Sequence, residues 1–402
     1  MQYLTLAAGK DLAEAQFILG FIYYHNDYAM KDINRAIHYF QQAANHNHSA
    51  AQYYLGLIYY KKSDMEKSLK YFNQAANQNN AKALYYLGYI YLFSDCVEKN
   101  IPKSLKFLEH AAILYNVDAQ YLLGEIYFQG EYVNKNIQKS IHYYKQAAKQ
   151  NHREAQFYLG SIYLLNKDVP MNINLSVDYL TLAANHAHSV ARLFLGIIYY
   201  DNKYNLRDIK KSIDYFMGSS NCNNYMAKNN LGVIYKNGEG VPKNIIRAIE
   251  LFNESIKLQN NPFALLNLAR IYYFGIGVKK DHEKVLELLM DSLQFKFEGV
   301  FIFLATILFD NPIKDTSLLN IIQRKLSGNK NHEYSRFIKF FDEYDFFYFI
   351  DEIRFYDNFS YFLKTGICPK IYDSVNSNHI QKKPQINHFF YEGFKTKNLL
   401  DY

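Results

Sequence analysis

His46 and His48, and again His186 and His188, stand two residues apart, a spacing at which two imidazoles can share a metal ion. No cysteine or carboxylate accompanies either pair at ligand spacing, and both fall in corresponding loops between helices. They read as surface loop, and His38 and His142, at matching helical positions, read as repeat inheritance instead of catalytic bases. Cys96, Cys222 and Cys368 are odd in number and far apart, which argues against a disulfide framework or a paired-cysteine zinc site and fits a reducing compartment. Gly238-x-Gly240 and Gly275-x-Gly277 lack a third glycine and join two helices, so they suit turns needing positive backbone angles and not a phosphate cradle. Asn-x-Ser sequons at Asn47, Asn174, Asn253 and Asn358 are expected by chance in an asparagine-rich chain. No nucleophile motif is visible. The expectation is a chain with no catalytic centre, no cofactor and no metal.

What remains for chemistry is aromatic. The chain holds 39 tyrosines and 30 phenylalanines and no tryptophan. Many fall at fixed offsets from a recurring alanine, on the helix side away from the main apolar face. Two positions on come Phe17, Tyr53, Tyr85, Tyr121, Phe157 and Leu193; six on come Phe21, Leu57, Tyr89, Glu125, Ser161 and Ile197; nine on come Tyr24, Tyr60, Leu92, Phe128, Leu164 and Tyr200. Two readings stand open. The rings Phe17, Tyr24, Tyr53, Tyr60, Tyr85, Tyr89, Tyr121, Phe128, Phe157 and Tyr200 line a groove and anchor a partner, or curvature buries them between repeats. Towards the C-terminal end the stripe turns polar at Asn229, Lys236 and Arg270, suggesting an apolar start and a basic end.

The elements that position these residues are repeated. Ala-x-x-x-Leu-Gly-x-Ile-Tyr begins at Ala15, Ala51, Ala83, Ala119, Ala155, Ala191 and Ala227, and weakens at Ala264 and Val300. Its glycines are Gly20, Gly56, Gly88, Gly124, Gly160, Gly196 and Gly232, mostly about 36 residues apart, as in arrays of helical pairs. Between them runs Ser/Ala-Ile/Leu-x-Tyr-Phe-x-x-Ala-Ala, for example Ser68 to Ala76 and Ser140 to Ala148. Each unit is therefore two helices, A then B. A mid-helix glycine costs about 1 kcal/mol relative to alanine, so its recurrence implies close approach, with the paired alanines of helix B letting backbones pack tightly. Helix B carries polar residues such as Lys106, Glu109 and His110 on its far side and belongs on the wet layer. Met1 to Ala8 matches the end of a B helix, so the chain is expected to begin partway through a repeat, either as a shortened cap or because an N-terminal portion is missing.

The pattern Asn230-Leu-Gly-Val-Ile-Tyr, then Asn-Gly238-Glu-Gly240-Val-Pro-Lys-Asn, then Arg-Ala248-Ile-Glu-Leu-Phe, resembles the Sel-1-like repeat, a relative of the tetratricopeptide repeat. Tyr272-Tyr-Phe-Gly275-Ile-Gly277 is similar to the same turn, and Gly130-Glu-Tyr-Val133 is so in part. The resemblance covers residues 1–309, about nine repeats. Most turns lack Gly-x-Gly, and Tyr39, Tyr71 and Phe107 stand where many members carry tryptophan. It implies an all-α, right-handed superhelical solenoid of antiparallel helix pairs, working as a non-catalytic scaffold or adaptor for other proteins or peptides. It also implies, as an alternative, a regulatory or substrate-recruiting subunit of a ubiquitin-ligase complex at the endoplasmic reticulum, or an interaction fragment of a longer signalling protein. Cysteine-rich members once assigned β-lactamase activity carry a cysteine pair in each repeat, and this chain has none.

Residues 310–402 are expected to form a helical extension. Arg336 to Lys364, dense in Phe, Tyr and acidic residues, is expected to cap the apolar end of the array, and the tail from Pro369 to be polar and mobile. The net charge is +7, spread along the chain with no cationic stripe, which argues against nucleic acid as a partner. No run approaches eighteen uncharged apolar residues, and the N-terminus does not look like a signal peptide, so a cytoplasmic protein is expected.

Overall fold

The computed structural model describes residues 2–25 and 32–293, and the expectations for 294–402 lie outside the described residues. Among the described residues all regular structure is helical. α1 (Gln2–Ala8) leads into α2 (Ala13–Tyr24), α3 (Ile33–Asn45), α4 (Ser49–Lys61), α5 (Met65–Ala76), α6 (Ala81–Phe93) and α7 (Ile101–Ile113). There follow α8 (Val117–Gln129), α9 (Ile137–Lys149), α10 (Arg153–Leu165), α11 (Ile173–Asn185), α12 (Ser189–Tyr200), a 3-10 turn Asn202–Tyr204 and α13 (Ile209–Ser220). Then come α14 (Tyr225–Asn237), α15 (Ile245–Leu258), α16 (Pro262–Phe274) and α17 (His282–Leu293). Even-numbered helices are the A helices and odd-numbered ones the B helices. The chain forms two compact units, the first ending at Ser219 and the second beginning at Ser220. α1 packs on α2 as the last turns of a B helix would.

From α3 onward each helix starts where a side chain can satisfy its free N–H groups, whereas α2 follows Leu12 with no side-chain cap. Asp64, Asn100, Asn136, Asn172, Asp208 and Asn244 accept from the amide three residues on, capping α5, α7, α9, α11, α13 and α15. The amides of Asn100, Asn136, Asn172, Asp208 and Asn244 bond back to the carbonyls of Tyr91, Tyr127, Tyr163, Tyr199 and Tyr235 near the end of the preceding A helix. One residue thus closes the turn and opens the next helix. Gly238, Gly240, Gly275 and Gly277 all have positive φ, the role expected of them. The B-to-A turns do not use glycine for this: Asp11, Asn47, Asn79, Asn151, Asn223, Tyr115 and Ala187 hold the left-handed conformation, which asparagine tolerates better than most residues.

The recurring glycine does mark close approach, but against a different neighbour from the one expected. The paired alanines of helix B do not face it; a ring or leucine does. A Cβ on Gly20, Gly56, Gly124, Gly196 or Gly232 would stand 2.5–2.6 Å from an atom of Phe40, Phe72, Tyr144, Phe216 or Phe252, and on Gly88 or Gly160 it would meet Leu108 or Leu180 at 2.6 Å. The B-helix serine then donates to the same glycine's carbonyl, Ser68 to Gly56 at 2.9 Å, Ser104 to Gly88 at 2.6 Å, Ser176 to Gly160 at 2.8 Å and Ser212 to Gly196 at 2.8 Å.

Successive repeats in the first unit are joined by a second ring. Tyr54, Tyr86 and Tyr158 of the following A helix stack face to face on Phe40, Phe72 and Tyr144 at 5.2–5.3 Å. A buried amide adds a polar clamp: Gln16, Gln52, Gln120 and Gln156 donate to the carbonyls of Ala8, Ala44, Ala112 and Ala148 at the end of the preceding B helix. Arg192 does the same to Ala184 at 3.1 Å.

Candidate functional site

Within the first unit, α2 touches α4, α4 touches α6 and α8 touches α10, so the A helices approach one another more closely than the B helices do. Their shared side is the inner face of the array, and the aromatic stripe lies on it. The rings two positions beyond the alanine are engaged by the next repeat. Phe17, Tyr121 and Phe157 stack on His48, His152 and His188 at 4.4–4.6 Å, and Lys82 lies over Tyr53. Tyr53 and Phe157 keep only 9 % and 8 % of their surface. Tyr24, Tyr60, Tyr85, Tyr89, Tyr121, Phe128 and Tyr200 are half-buried, and Phe21 and Phe93 are exposed. The stripe is therefore divided: its inner row is repeat packing, while in its outer rows the rings meet solvent and Leu92 and Leu164 are buried.

Two repeats depart from the apolar pattern at the register six beyond the alanine, α10 with Ser161 and α8 with a charge. Glu125 of α8 sits where Phe21, Leu57, Tyr89 and Ile197 sit in other repeats. It is half-buried and accepts a hydrogen bond from the Tyr121 hydroxyl at 2.7 Å. Burial lifts the Glu125 carboxyl above the ordinary glutamate range, the Tyr121 hydrogen bond draws it back, and Glu154 adds to the lift. Burial first, and the neighbouring carboxylate second, push the Tyr121 hydroxyl far above the usual phenol range. Beneath them Tyr144 is 0 % exposed. Its hydroxyl is buried beside that of Ser140, one turn earlier on α9, and the Ser161 hydroxyl on α10 is buried without a hydrogen-bond partner. Sequence reasoning placed Glu125 on the stripe but gave it no role; a charge at an otherwise apolar register was the available signal.

In the second unit α14 touches α16, and the polar residues there are largely withdrawn from water. Asn229 is 4 % exposed and accepts from the Asn267 amide at 3.1 Å. Lys236 and Arg270 are half-buried; burial lowers both, and Arg270 further lowers Lys236. The basic character expected here is present but mostly packed.

The histidine pairs are not loop decoration. His48, His152 and His188 cap α4, α10 and α12, their Nδ1 accepting from Ala51, Ala155 and Ala191 at 3.0–3.2 Å. His188 is buried, and its Nε2 meets Glu154 at 2.9 Å, as that of His48 meets Glu14 at 3.1 Å. His46 and His186 close α3 and α11. Burial pushes the His152 imidazole below its usual range. Among the described residues no three His, Cys, Asp or Glu side chains gather as a metal site, and no helix is long and apolar enough to cross a membrane.

Seven segments, 13–48, 49–80, 81–116, 117–152, 153–188, 226–260 and 262–289, match the Sel1 repeat model and together span more than half of the chain. α12 and α13 lie in the unmatched interval, yet Phe216 covers Gly196 there as in the matched repeats. Among solved structures the chain is similar to c5321, a protective antigen of uropathogenic Escherichia coli displaying an SLR fold. That likeness has 20 % identity and a TM-score of 0.63, over 94 % of this chain and 91 % of that one. It is also similar to a Sel1 repeat protein from Oxalobacter formigenes, with 25 % identity and a TM-score of 0.56 over 76 % and 90 % of the two chains. No protein with a curated description matches. Sel1 repeat proteins generally mediate protein–protein interaction, and by its matched repeats and its fold this chain belongs to the Sel1 repeat family.

Proposed function

We propose that the protein is an adaptor without a reaction of its own, which holds an extended segment of a partner protein on the inner face of its first unit. The observation that carries this reading is the division of the aromatic stripe. One row of rings is consumed by repeat packing, while Tyr60, Tyr89, Phe93 and Phe128, outside that row, keep contact with water on one side of adjoining A helices. Half-exposed tyrosines on rigid helices suit peptide recognition, because a ring gives much contact area for little lost side-chain freedom. The polar groups of the partner backbone can be met by the phenol hydroxyls.

The test is an array of immobilised nonapeptides probed with the intact protein and with a Tyr60→Ser/Tyr89→Ser/Phe128→Ser variant whose melting curve is checked beside it. The intact protein is expected to select a subset of peptides that the folded variant loses. Equal binding by both, or none by either, rejects the inner face as the docking surface.

A further inference from the structure

Glu125 introduces a negative charge at a register that is otherwise uncharged in the first unit, where Phe21, Leu57, Tyr89, Ser161 and Ile197 stand. Among the described residues no cation lies within ion-pair distance of it. The basic groups on its ring neighbours are otherwise engaged: His152 is stacked on Tyr121 and caps α10, and Lys135, 6.0 Å from the Phe128 ring centroid, meets Asp168 at 3.1 Å; Arg153 and His188 meet Glu154 at 3.1 and 2.9 Å. A half-buried carboxylate with one hydrogen bond and no counter-charge is costly to keep.

A second, independent feature lies at the same place. The Ser161 hydroxyl, at the Glu125 register on the adjoining A helix, is buried without a hydrogen-bond partner, and the Tyr144 hydroxyl, on a fully buried side chain, has only the Ser140 hydroxyl beside it. Every other side chain that covers a repeat glycine is phenylalanine or leucine, so a hydroxyl is carried only in this repeat among those described. Tyr144 is close enough to Glu125 that the carboxylate charge, after burial, raises the phenol further. Buried hydroxyls left unsatisfied are uncommon and call for a partner. Around them, Tyr158 stacks on Tyr144 and lies 6.1 Å from Tyr121 and 6.2 Å from Phe128 between ring centroids.

We propose that Glu125, walled by Tyr121, Phe128 and Tyr158, receives the guanidinium or ammonium group of an arginine or lysine presented by a peptide segment of a protein partner. The carboxylate supplies the counter-charge, the ring faces attract a cation, and the unpartnered Ser161 hydroxyl accepts from its N–H groups. Water alone would satisfy the hydroxyl but leave the carboxylate without compensation. This assignment rests on the docking reading above and names the side chain that enters first.

The experiment uses two nonapeptide arrays, random except for the central residue, which is arginine in one and its neutral isostere citrulline in the other. Each is probed with the full chain and with Glu125→Gln at low and physiological salt. The full chain is expected to bind the arginine array about tenfold or more tightly, and Glu125→Gln to lose that preference while still binding at the citrulline level. Equal binding of both arrays by the full chain overturns the cation site and leaves the docking face standing. An arginine preference that survives in Glu125→Gln also overturns it, placing the cation elsewhere. Binding to neither array removes the docking face and the cation site together.

Discussion

Phe72 lies so close over Gly56 that a Cβ on the glycine would stand 2.5 Å from ring carbon Cδ1, well inside van der Waals contact. The ring is fully buried, and Tyr86 of the next A helix is stacked on its other side at 5.2 Å, so it has nowhere to retreat.

Gly56→Ala is therefore expected to destabilise the protein by about 1–3 kcal/mol, despite the better helix propensity of alanine, and Gly160→Leu at the matching position by more. Urea denaturation checks this, with the midpoint falling while the slope stays constant. An unchanged midpoint would mean that the ring moves freely.

Gln120 donates to the Ala112 carbonyl at 3.0 Å and accepts from Gln150 at 2.8 Å. The corresponding residue in the preceding A helix is Leu84, so the site tolerates an apolar side chain. Gln120→Leu should leave that buried carbonyl without its side-chain donor at a cost of about 1 kcal/mol, read as a lower thermal midpoint. Hydrogen exchange should also quicken at the junction of α7 and α8.

Ala187 holds φ +59° in the turn between α11 and α12, where Asn47 and Asn151 do the same work in other repeats. Ala187→Gly removes the Cβ that opposes this conformation and is expected to stabilise by about 0.5–1 kcal/mol, whereas Asn151→Ala should destabilise by a similar amount. Both are read from melting curves.

Glu125 predicts a stability change that runs against function. Its folded-state pKa is raised, first by burial, so its protonated form suits the fold and the penalty grows as pH rises through the folded value. Glu125→Gln should melt higher than the natural chain at pH 7, and the gap should close below about pH 4, where the carboxyl is protonated folded and unfolded alike. A variant that melts lower at pH 7 would show that the carboxylate is already compensated.

The His152 imidazole behaves with the opposite sign. Its pKa is lowered, chiefly by burial, so the neutral ring is the form the fold prefers, and its contribution fades as pH falls through about 6.5. Protonation also occupies Nδ1, which accepts from the Ala155 amide at 3.2 Å. His152→Asn keeps a cap, as Asn116 does in the preceding repeat, and should flatten the acid side of the stability profile between pH 7 and 5.

The alternation of helices was legible because small and apolar residues recur at one register over seven repeats, and the Gly-x-Gly turns were legible because glycine there serves one backbone need. The partner of the repeat glycine was not. Leu-Gly marks a close approach without saying whether an alanine or a ring fills it, and Phe72 and Ala75 of α5 are equally apolar neighbours in one dimension. The stacking tyrosines Tyr54, Tyr86 and Tyr158 were overlooked because they sit three positions after the alanine, between the two helical faces. His48 and His188 resembled loop residues since imidazole is an unusual N-cap, and only coordinates show Nδ1 turned towards an amide. Whether a stripe ring faces solvent or its neighbour depends on how closely A helices approach, a quantity no spacing along one helix contains.

The seams between neighbouring hairpins of the first unit share their parts: a ring on a glycine, a tyrosine on the ring, a glutamine on a carbonyl. Unequal crossing-over that removed or doubled one hairpin would therefore rejoin ends that already fit. Array length can drift between relatives while each module keeps its own inward side chain, so a charged module such as the one bearing Glu125 can be inherited, moved or lost as a single genetic cassette.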